Sequence, residues 1–574
     1  MSISSGPGQR PANSRRASLL DRRQQLTESL DDAPYDMMLY LRRAAVYADM
    51  GYPDLAAGDA YRALLLTDEA NDESFEYHEQ AVEALDAYVG EQLPEVLEKY
   101  AIGTQTTRQN CSREELVAAA AVRCYQLLSR SLLQCGCLRS ANSFCERGLA
   151  AAAGPEDERL LRKTQVSIQT AARKRMPRRR GSDGSNETQT ISPADLPDRG
   201  IVRRELYPWN THEPDRTSAE AVAFLNKQLA AVAPKCTVRA TELPVLADNG
   251  NKRASDAATC WQLGVFATEP IAAGEAVLRE YSLLTANNRH KESVCDACSS
   301  ELPELDASSN GGPVGCPECD DTVFCDAFCL EQAQARYHPA VCDKDVDAIA
   351  KDPDDARDAD DALYVLLLAR LLAMATHQER HPLDIDEVIY IWGDFAAVQD
   401  GDAADDEADD HDHDHDDDVV PRGTLPFSFD VNIATPLHML EKMDLDVFAE
   451  LARYDVWVLN TLYAKFRGTA SARKSRRDGR PDVAAVHPLW CLANHDCDPN
   501  VTWEWGGRMV LSARQERVLG PRPGGIAAGD EILSHYCDVD LPVQQRREWA
   551  SGSLGGWCMC GRCRAEAASS GETV

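Results

Sequence analysis

Four pairs of metal-binding side chains between residues 295 and 342 constrain the fold of this chain more than any other feature. They run Cys295-x2-Cys298, Cys316-x2-Cys319, Cys325-x3-Cys329 and His338-x3-Cys342, giving seven thiols and one imidazole. Pairs at this spacing reach one metal from a knuckle or a helical turn, and eight such ligands match two tetrahedral zinc ions. The intervening stretch SSELPELDASSNGGPVG is too polar and glycine-rich to build an apolar core. Metal binding is therefore expected to supply the folding energy of this segment. The chain carries 20 cysteines in all. Its N-terminus lacks an apolar leader and no run of eighteen apolar residues occurs, so a soluble intracellular protein with reduced thiols is expected. Cys111, Cys124, Cys135, Cys137 and Cys145 show no metal spacing and read as buried small hydrophobes.

Patterning divides the rest of the 574 residues, a length that suits roughly three or four domains. Residues 1–33 are rich in Arg, Ser and Pro and read as disordered. Over 34–170 the periodicity is helical. Ala44, Tyr47, Gly51, Ala56, Ala60 and Ala63 occupy the small and aromatic positions of a tetratricopeptide-like (TPR-like) helix pair, or of a generic helical hairpin. Small residues let two helices approach closely, and Gly51 ends the first of them. Leu132, Gly136, Ala141, Cys145 and Gly148 repeat the offsets in a weaker second copy, so further helices must complete the stack. Residues 171–236 are a linker and lead-in. Its basic cluster, ARKRMPRRR, suits either a nuclear import signal or a solvated linker. The stretches CTVRATELPVL and LGVFATEPIAAGEAVLREYSLL then read as short strands joined by turns.

The net charge is −34, but 12 acidic residues lie in 400–418, and removing them leaves −22. An acidic remainder argues against direct nucleic-acid binding and suits basic protein targets. The loop itself, with interleaved Asp and His, reads as a solvated disordered insertion; divalent-metal binding is the lesser alternative.

Phe324-Cys325 and ARYHPAVC within the cysteine cluster resemble a MYND finger, which holds its two zincs crosswise. By that resemblance Cys295, Cys298, Cys325 and Cys329 bind one ion, and Cys316, Cys319, His338 and Cys342 the other. LGVFATEPIAAGEAVLRE precedes the finger, ANHDCDPN follows a helical stretch, and GDEILSHYCDVDLPVQQRREW leads to CMCGRC. This order resembles the SET-domain lysine methyltransferases of the SMYD type, over residues 237–565; a TPR-like region before the SET fold resembles a fungal subgroup. The resemblance implies an α+β chain: a β-rich SET fold interrupted by a MYND zinc finger and a helical insert, a post-SET zinc site, and an all-α TPR-like N-terminal region. The expected parts are an N-terminal SET portion at 237–290, the finger at 291–345 and a helical insert at 346–480 containing the loop 400–418. The C-terminal SET portion at 481–545 and a post-SET zinc segment at 546–565 complete it.

The same resemblance implies S-adenosyl-L-methionine as methyl donor and three zinc ions. The third would be bound by Cys497, Cys558, Cys560 and Cys563. Asn494 and His495 are then expected to contact the donor, with Leu263, Gly264, Asn460 and Trp557 beside them, and Tyr536 of SHYCD matches the catalytic tyrosine. By this reading the polar residues of ANHDCDPN are bonded to ligand and metal, not to one another. Two departures stand out. Only the second glycine of the family's Gly-x-Gly remains, in Gln262-Leu263-Gly264, and Asp496 replaces a serine. The implied function is lysine methylation of a histone tail or another basic protein, in the nucleus, the cytoplasm or both. Protein partners would use the MYND and TPR-like surfaces, and no membrane partner is implied. The alternative is a catalytically decayed SET/MYND/TPR interaction scaffold.

Overall fold

The computed structural model describes residues 10–90, 97, 111–175, 191–244, 246, 259–289, 294–303, 312–351, 356–391, 393, 395, 423–475, 479–505, 507–520, 522–554 and 556–570. The acidic loop 400–418 and most of the basic linker fall outside them. The chain forms two compact units.

The first unit is a stack of helices: α1 (Arg10–Asp32), α2 (Met37–Asp49), α3 (Pro53–Asn71), α4 (His78–Asp86), α5 (Arg113–Cys135), α6 (Leu138–Ala151) and α7 (Pro155–Arg175). Local signals set the ends. Asp36 caps α2 by accepting the N–H groups of Met38 and Leu39, and Ser112 with Glu115 forms a capping box on α5. Gly51 and Gly136 follow α2 and α5 with φ of +78° and +89°, a left-handed turn that a side chain would strain. The hairpins α2–α3 and α5–α6 pack through α3 against α5. Ala44, Tyr47, Ala56, Ala60, Ala63, Leu132, Ala141 and Cys145 are all buried there, as their repeated spacing requires. So are the five N-terminal cysteines. Helix α5 is long and apolar enough to cross a membrane, but it packs here as a core helix between α3 and α6.

Two sequence expectations change in this unit. Residues 10–32 form a helix where disorder is expected, because a narrow stripe hidden in the polar composition finds partners. Leu26 and Leu30 are buried, Arg23 donates to the Tyr47 hydroxyl at 3.1 Å, and Thr27 accepts from Arg43 at 3.1 Å. Nor is 346–480 one insert. Residues 424–459 belong to the helical unit, where Thr424–Phe427 pairs antiparallel with Gly200–Arg203. Buried Arg62 donates to the carbonyls of Val447 (3.3 Å) and Tyr454 (2.9 Å), and Tyr35 donates to Asp446 at 2.5 Å.

The second unit is built of short strands. Cys236–Pro244 and Thr259–Ala267 form a hairpin, and Ala276–Tyr281 pairs with Arg508–Ala513, which pairs with Val501–Trp505. Leu284–Asn287 pairs with Pro481–Val486, which pairs with Ser471–Lys474. Both three-stranded sheets thus join a strand before residue 290 to strands after 470, and the cysteine-rich segment and the helix Ala356–His377 leave and return through that opening. The helix packs on Leu284–Asn287 and Pro481–Val486. Val238, Val265, Ile271, Val277, Leu278, Leu492, Val501, Leu511 and Ile532 form the core of the unit.

In the helical unit, buried Arg43 makes two bonds to Asp59 (2.6 and 2.7 Å) and one ion pair to Asp455 (3.1 Å). Removing Asp59 leaves the desolvated guanidinium with Asp455 as its one carboxylate partner and two lost hydrogen bonds. Asp59→Ala is therefore expected to cost about 3 kcal/mol in urea unfolding of the full chain; a change below about 0.5 kcal/mol, the level of a neutral surface substitution, would contradict this role.

Candidate functional site

The stretch Ala493–Asn500 lies where three pieces of backbone meet. Asn494 and His495 pair in parallel with Leu533 and Ser534, and Phe266 bridges to Glu531. Nearly every polar side chain of the stretch has a protein partner. Asn494 Nδ2 donates to the Leu263 carbonyl (3.1 Å) and to Glu531 Oε1 (2.7 Å). His495 Nδ1 accepts the Tyr536 N–H at 3.0 Å, and its Nε2 lies 3.4 Å from Cys497 Sγ. Asp496 accepts the Asp498 N–H at 2.7 Å, and Asp498 is held by Arg517, Arg522 and the Leu519 N–H. Asn500 donates to the Glu531 carbonyl at 2.7 Å and accepts the Leu533 N–H at 2.8 Å. Only the expectation that these groups do not bond one another is corrected: Cys497 joins a four-cysteine set, while the other buried polar groups satisfy one another, because leaving one unpaired costs about 1–3 kcal/mol. Asp496, the departure from serine, turns its carboxylate onto its own backbone.

Tyr536 follows the parallel pair by two residues. Its hydroxyl donates to the Ala493 carbonyl at 2.9 Å and its ring lies 5.2 Å from the imidazole of His495. Burial pushes the phenol well above its ordinary range, so it stays protonated. Burial also pushes the His495 imidazole down to about 4. Gly264 is fixed by space: a Cβ there would sit 2.6 Å from Glu531 Oε1 and 3.1 Å from Asn494 Nδ2. Gln262, where the first glycine is missing, is only partly buried.

Three groups of side chains that could hold a metal ion gather at the positions expected, two from spacing and one from the resemblance. Cys295, Cys298, Cys325 and Cys329 form one, Cys316, Cys319, His338 and Cys342 a second, and Cys497, Cys558, Cys560 and Cys563 a third; within each, all ligand atoms lie within 4.8 Å of one another. A tetrahedron with Zn–S bonds of about 2.3 Å has edges of roughly 3.8 Å. Observed separations are 3.8 Å for Cys298–Cys325, 3.9 Å for Cys316–Cys342, and 4.0 and 3.4 Å from Cys497 to Cys558 and Cys563. The thiols and one imidazole therefore fit zinc. The first two groups dock on the strand–helix platform: Asp296, between two ligands, pairs with Arg370 (3.1 Å) and accepts from Tyr337 (2.7 Å). A further set, His212, His381 and Asp384, does not suit an ion. Its imidazoles stack 4.1 Å apart with planes 4° from parallel, so their lone pairs cannot converge; His212 bonds Asp384 at 2.6 Å and His381 caps the turn Pro382–Asp384.

Residues 262–537 match the family model of the SET domain. The chain contains a SET domain. It is also 36% identical over 72 residues to the histone-lysine N-methyltransferase SET5 of Vanderwaltozyma polyspora, a match that spans 12% of this chain and 13% of that relative.

The remaining expected residues are placed as follows. Asn460 is buried in the helix Val456–Thr469, and none of the bonds above ties it to Asn494. Trp557 lies under the guanidinium of Arg547, 5.2 Å from its ring centroid. Sequence reasoning missed several residues. Glu531 anchors Asn494. Cys537 forms a set with His495 and Cys497, and only its place directly after Tyr536 hints at this. Arg546 donates to Cys563 Sγ at 3.6 Å, and Arg562 donates to the Cys497 carbonyl at 2.8 Å. Buried Glu280 accepts the N–H groups of Leu489 and Trp490 at 2.9 and 2.7 Å, and burial pushes its carboxyl up to about 7.

Elemental analysis is expected to find three zinc ions on the purified chain, and Cys497→Ser is expected to lose one while keeping two. Three ions retained by that variant, or one ion or none on the wild type, would overturn the ligand assignment.

Proposed function

We propose that this protein is an S-adenosylmethionine-dependent protein-lysine N-methyltransferase. The observation that carries the reading is the convergence of Asn494, the backbone of Leu263-Gly264 and the protonated Tyr536 hydroxyl on one end of the parallel pair. Because Asn494 commits its nitrogen to Leu263 and Glu531, its Oδ1 is left as an acceptor, which suits an amino group. Residues assigned to the donor are therefore Asn494, Leu263 and Gly264, with Asn460 from its helix and Trp557 from the C-terminal segment. His495 is assigned through its backbone, since both ring nitrogens face protein atoms. S-adenosylmethionine, when bound, supplies an electrophilic methyl on a sulfonium.

The chain's own task would be to hold a neutral lysine amine facing the donor, a role for which Tyr536 is the candidate. Desolvation lowers the amine's pKa, and a protonated Tyr536 orients the amine instead of removing its proton. The matched relative is a histone-lysine methyltransferase, and the acidic remainder of this chain suits a basic tail. A histone or another basic protein is therefore the proposed substrate class, met in the nucleus, the cytoplasm or both. The cysteine-rich finger, read as MYND-type, and the N-terminal hairpins, read as TPR-like, are the proposed surfaces for protein partners. Gln262 in place of the family's glycine favours the second reading, a scaffold with a decayed cofactor pocket.

Tyr536→Phe removes one hydroxyl and keeps the ring. Turnover is expected to fall by roughly 10²–10³-fold, with S-adenosylmethionine affinity nearly unchanged. Asn494→Ala is expected to weaken cofactor binding first. If the wild type neither binds the cofactor nor methylates protein in a lysate, the scaffold reading replaces this one.

A further inference from the structure

His495 connects two parts of the site that the methyltransferase reading treats separately. A backbone N–H can only donate, so the 3.0 Å bond from Tyr536 requires a lone pair on His495 Nδ1. The neutral ring then carries its proton on Nε2, and Nε2 lies 3.4 Å from Cys497 Sγ. That is an N–H···S bond to a sulfur of the C-terminal four-cysteine set.

Such a set, holding a divalent ion with four thiolates, keeps a net charge of −2 and is stabilised by donors around its sulfurs. The structure supplies them one by one. Cys563 N–H points to Cys560 Sγ at 3.4 Å, Arg546 to Cys563 Sγ at 3.6 Å, and the imidazole of His495 to Cys497. The Cys497 main chain is held as well, by Arg562. The same imidazole fixes the backbone of Tyr536, whose hydroxyl is tied to Ala493, two residues before His495. A continuous path therefore runs from Cys497 sulfur through both ring nitrogens to the tyrosine backbone.

We propose that His495 is a positioning residue that couples the C-terminal metal site to Tyr536: its Nε2–H stabilises the Cys497 thiolate, and its Nδ1 holds the tyrosine in place. The proposal rests on the methyltransferase reading only for its effect on turnover; the two bonds themselves are tested without it. An ion at the four thiols orients the Cys497 sulfur, the sulfur orients the ring, and the ring orients Tyr536.

Two substitutions separate the two bonds. The amide oxygen of Asn overlays Nδ1 and the amide nitrogen of Gln overlays Nε2. His495→Asn keeps an acceptor for Tyr536 and loses the thiolate donor, whereas His495→Gln keeps the donor and loses the acceptor. In the zinc-loaded full chain, release of zinc to a colorimetric chelator is expected to quicken about 10–100-fold in His495→Asn and to stay within about threefold of wild type in His495→Gln. Hydrogen exchange of the segment 533–540, read by mass spectrometry, should be the mirror image: near wild type in His495→Asn and at least about tenfold faster in His495→Gln. Turnover of His495→Gln should fall by up to about 10²-fold, with the Michaelis constant for S-adenosylmethionine held within about threefold. Equal behaviour of the two variants in zinc release and exchange, whether both match wild type or both match His495→Ala, would overturn the coupling. A wild type that transfers no methyl would sink the methyltransferase reading instead, and the zinc and exchange measurements would still decide the role of His495.

Discussion

Cys497 stands at the junction of two sets of contacts. Its sulfur meets the thiols of Cys558, Cys560 and Cys563, which lie some sixty residues further along the chain. Its neighbours on the N-terminal side, Asn494 and His495, form the parallel pair with Leu533 and Ser534. Two residues per strand make a weak pair by themselves. What holds it is the flanking polar web: Asn494 to Glu531, Asn500 to Glu531 and Leu533, and Tyr536 back to Ala493 and His495. The four thiols adjoin this web through Cys497, and a zinc ion there would convert four mutually repelling thiolates into one clamp. The C-terminal helix Gly561–Ser570 is fixed against it through Arg546, Arg562 and Glu566.

Charge, neutral hydrogen bonds and ring contact together join the finger to the same unit; Phe328 of the finger lies 4.8 Å from the ring of Tyr281. Asp296 sits between Cys295 and Cys298 and is buried with Arg370 of the helix Ala356–His377, whose guanidinium also lies 3.7 Å from the ring centroid of Tyr337. Lys351 reaches the Asn287 carbonyl at 2.7 Å on the adjoining strand. A segment too polar for its own core thus gathers its thiols and is seated through a buried ion pair and ring contacts.

The sequence is most readable where the signal is local. Thiol and imidazole spacings single out the eight side chains between 295 and 342 that gather into two of the sets, because metal geometry tolerates few spacings; the third set comes from the resemblance. Small residues at helical offsets mark the hairpins around Gly51 and Gly136 for the same reason. Long-range choices are silent. Nothing near residue 440 announces that Val447 and Tyr454 accept from Arg62, so 424–459 reads as part of one insert when it belongs with the N-terminal helices. Leu26 and Leu30 are too sparse among charges to show α1 before their partners are known. Asn494 and His495 are singled out by the sequence, but their protein partners are not. Glu531, Arg546 and Cys537 enter only once the strand pairing brings 494–497 against 531–537.

Calorimetric titration of S-adenosylmethionine into zinc-replete wild type and into Cys560→Ser, with finger zinc verified in both, tests most directly whether the thiol clamp builds the cofactor surface. The account predicts binding to the wild type and at least about tenfold weaker binding to the variant, the usual scale on which support around a metal site acts. Equal affinity in the two proteins, or no binding to the zinc-replete wild type, would contradict it.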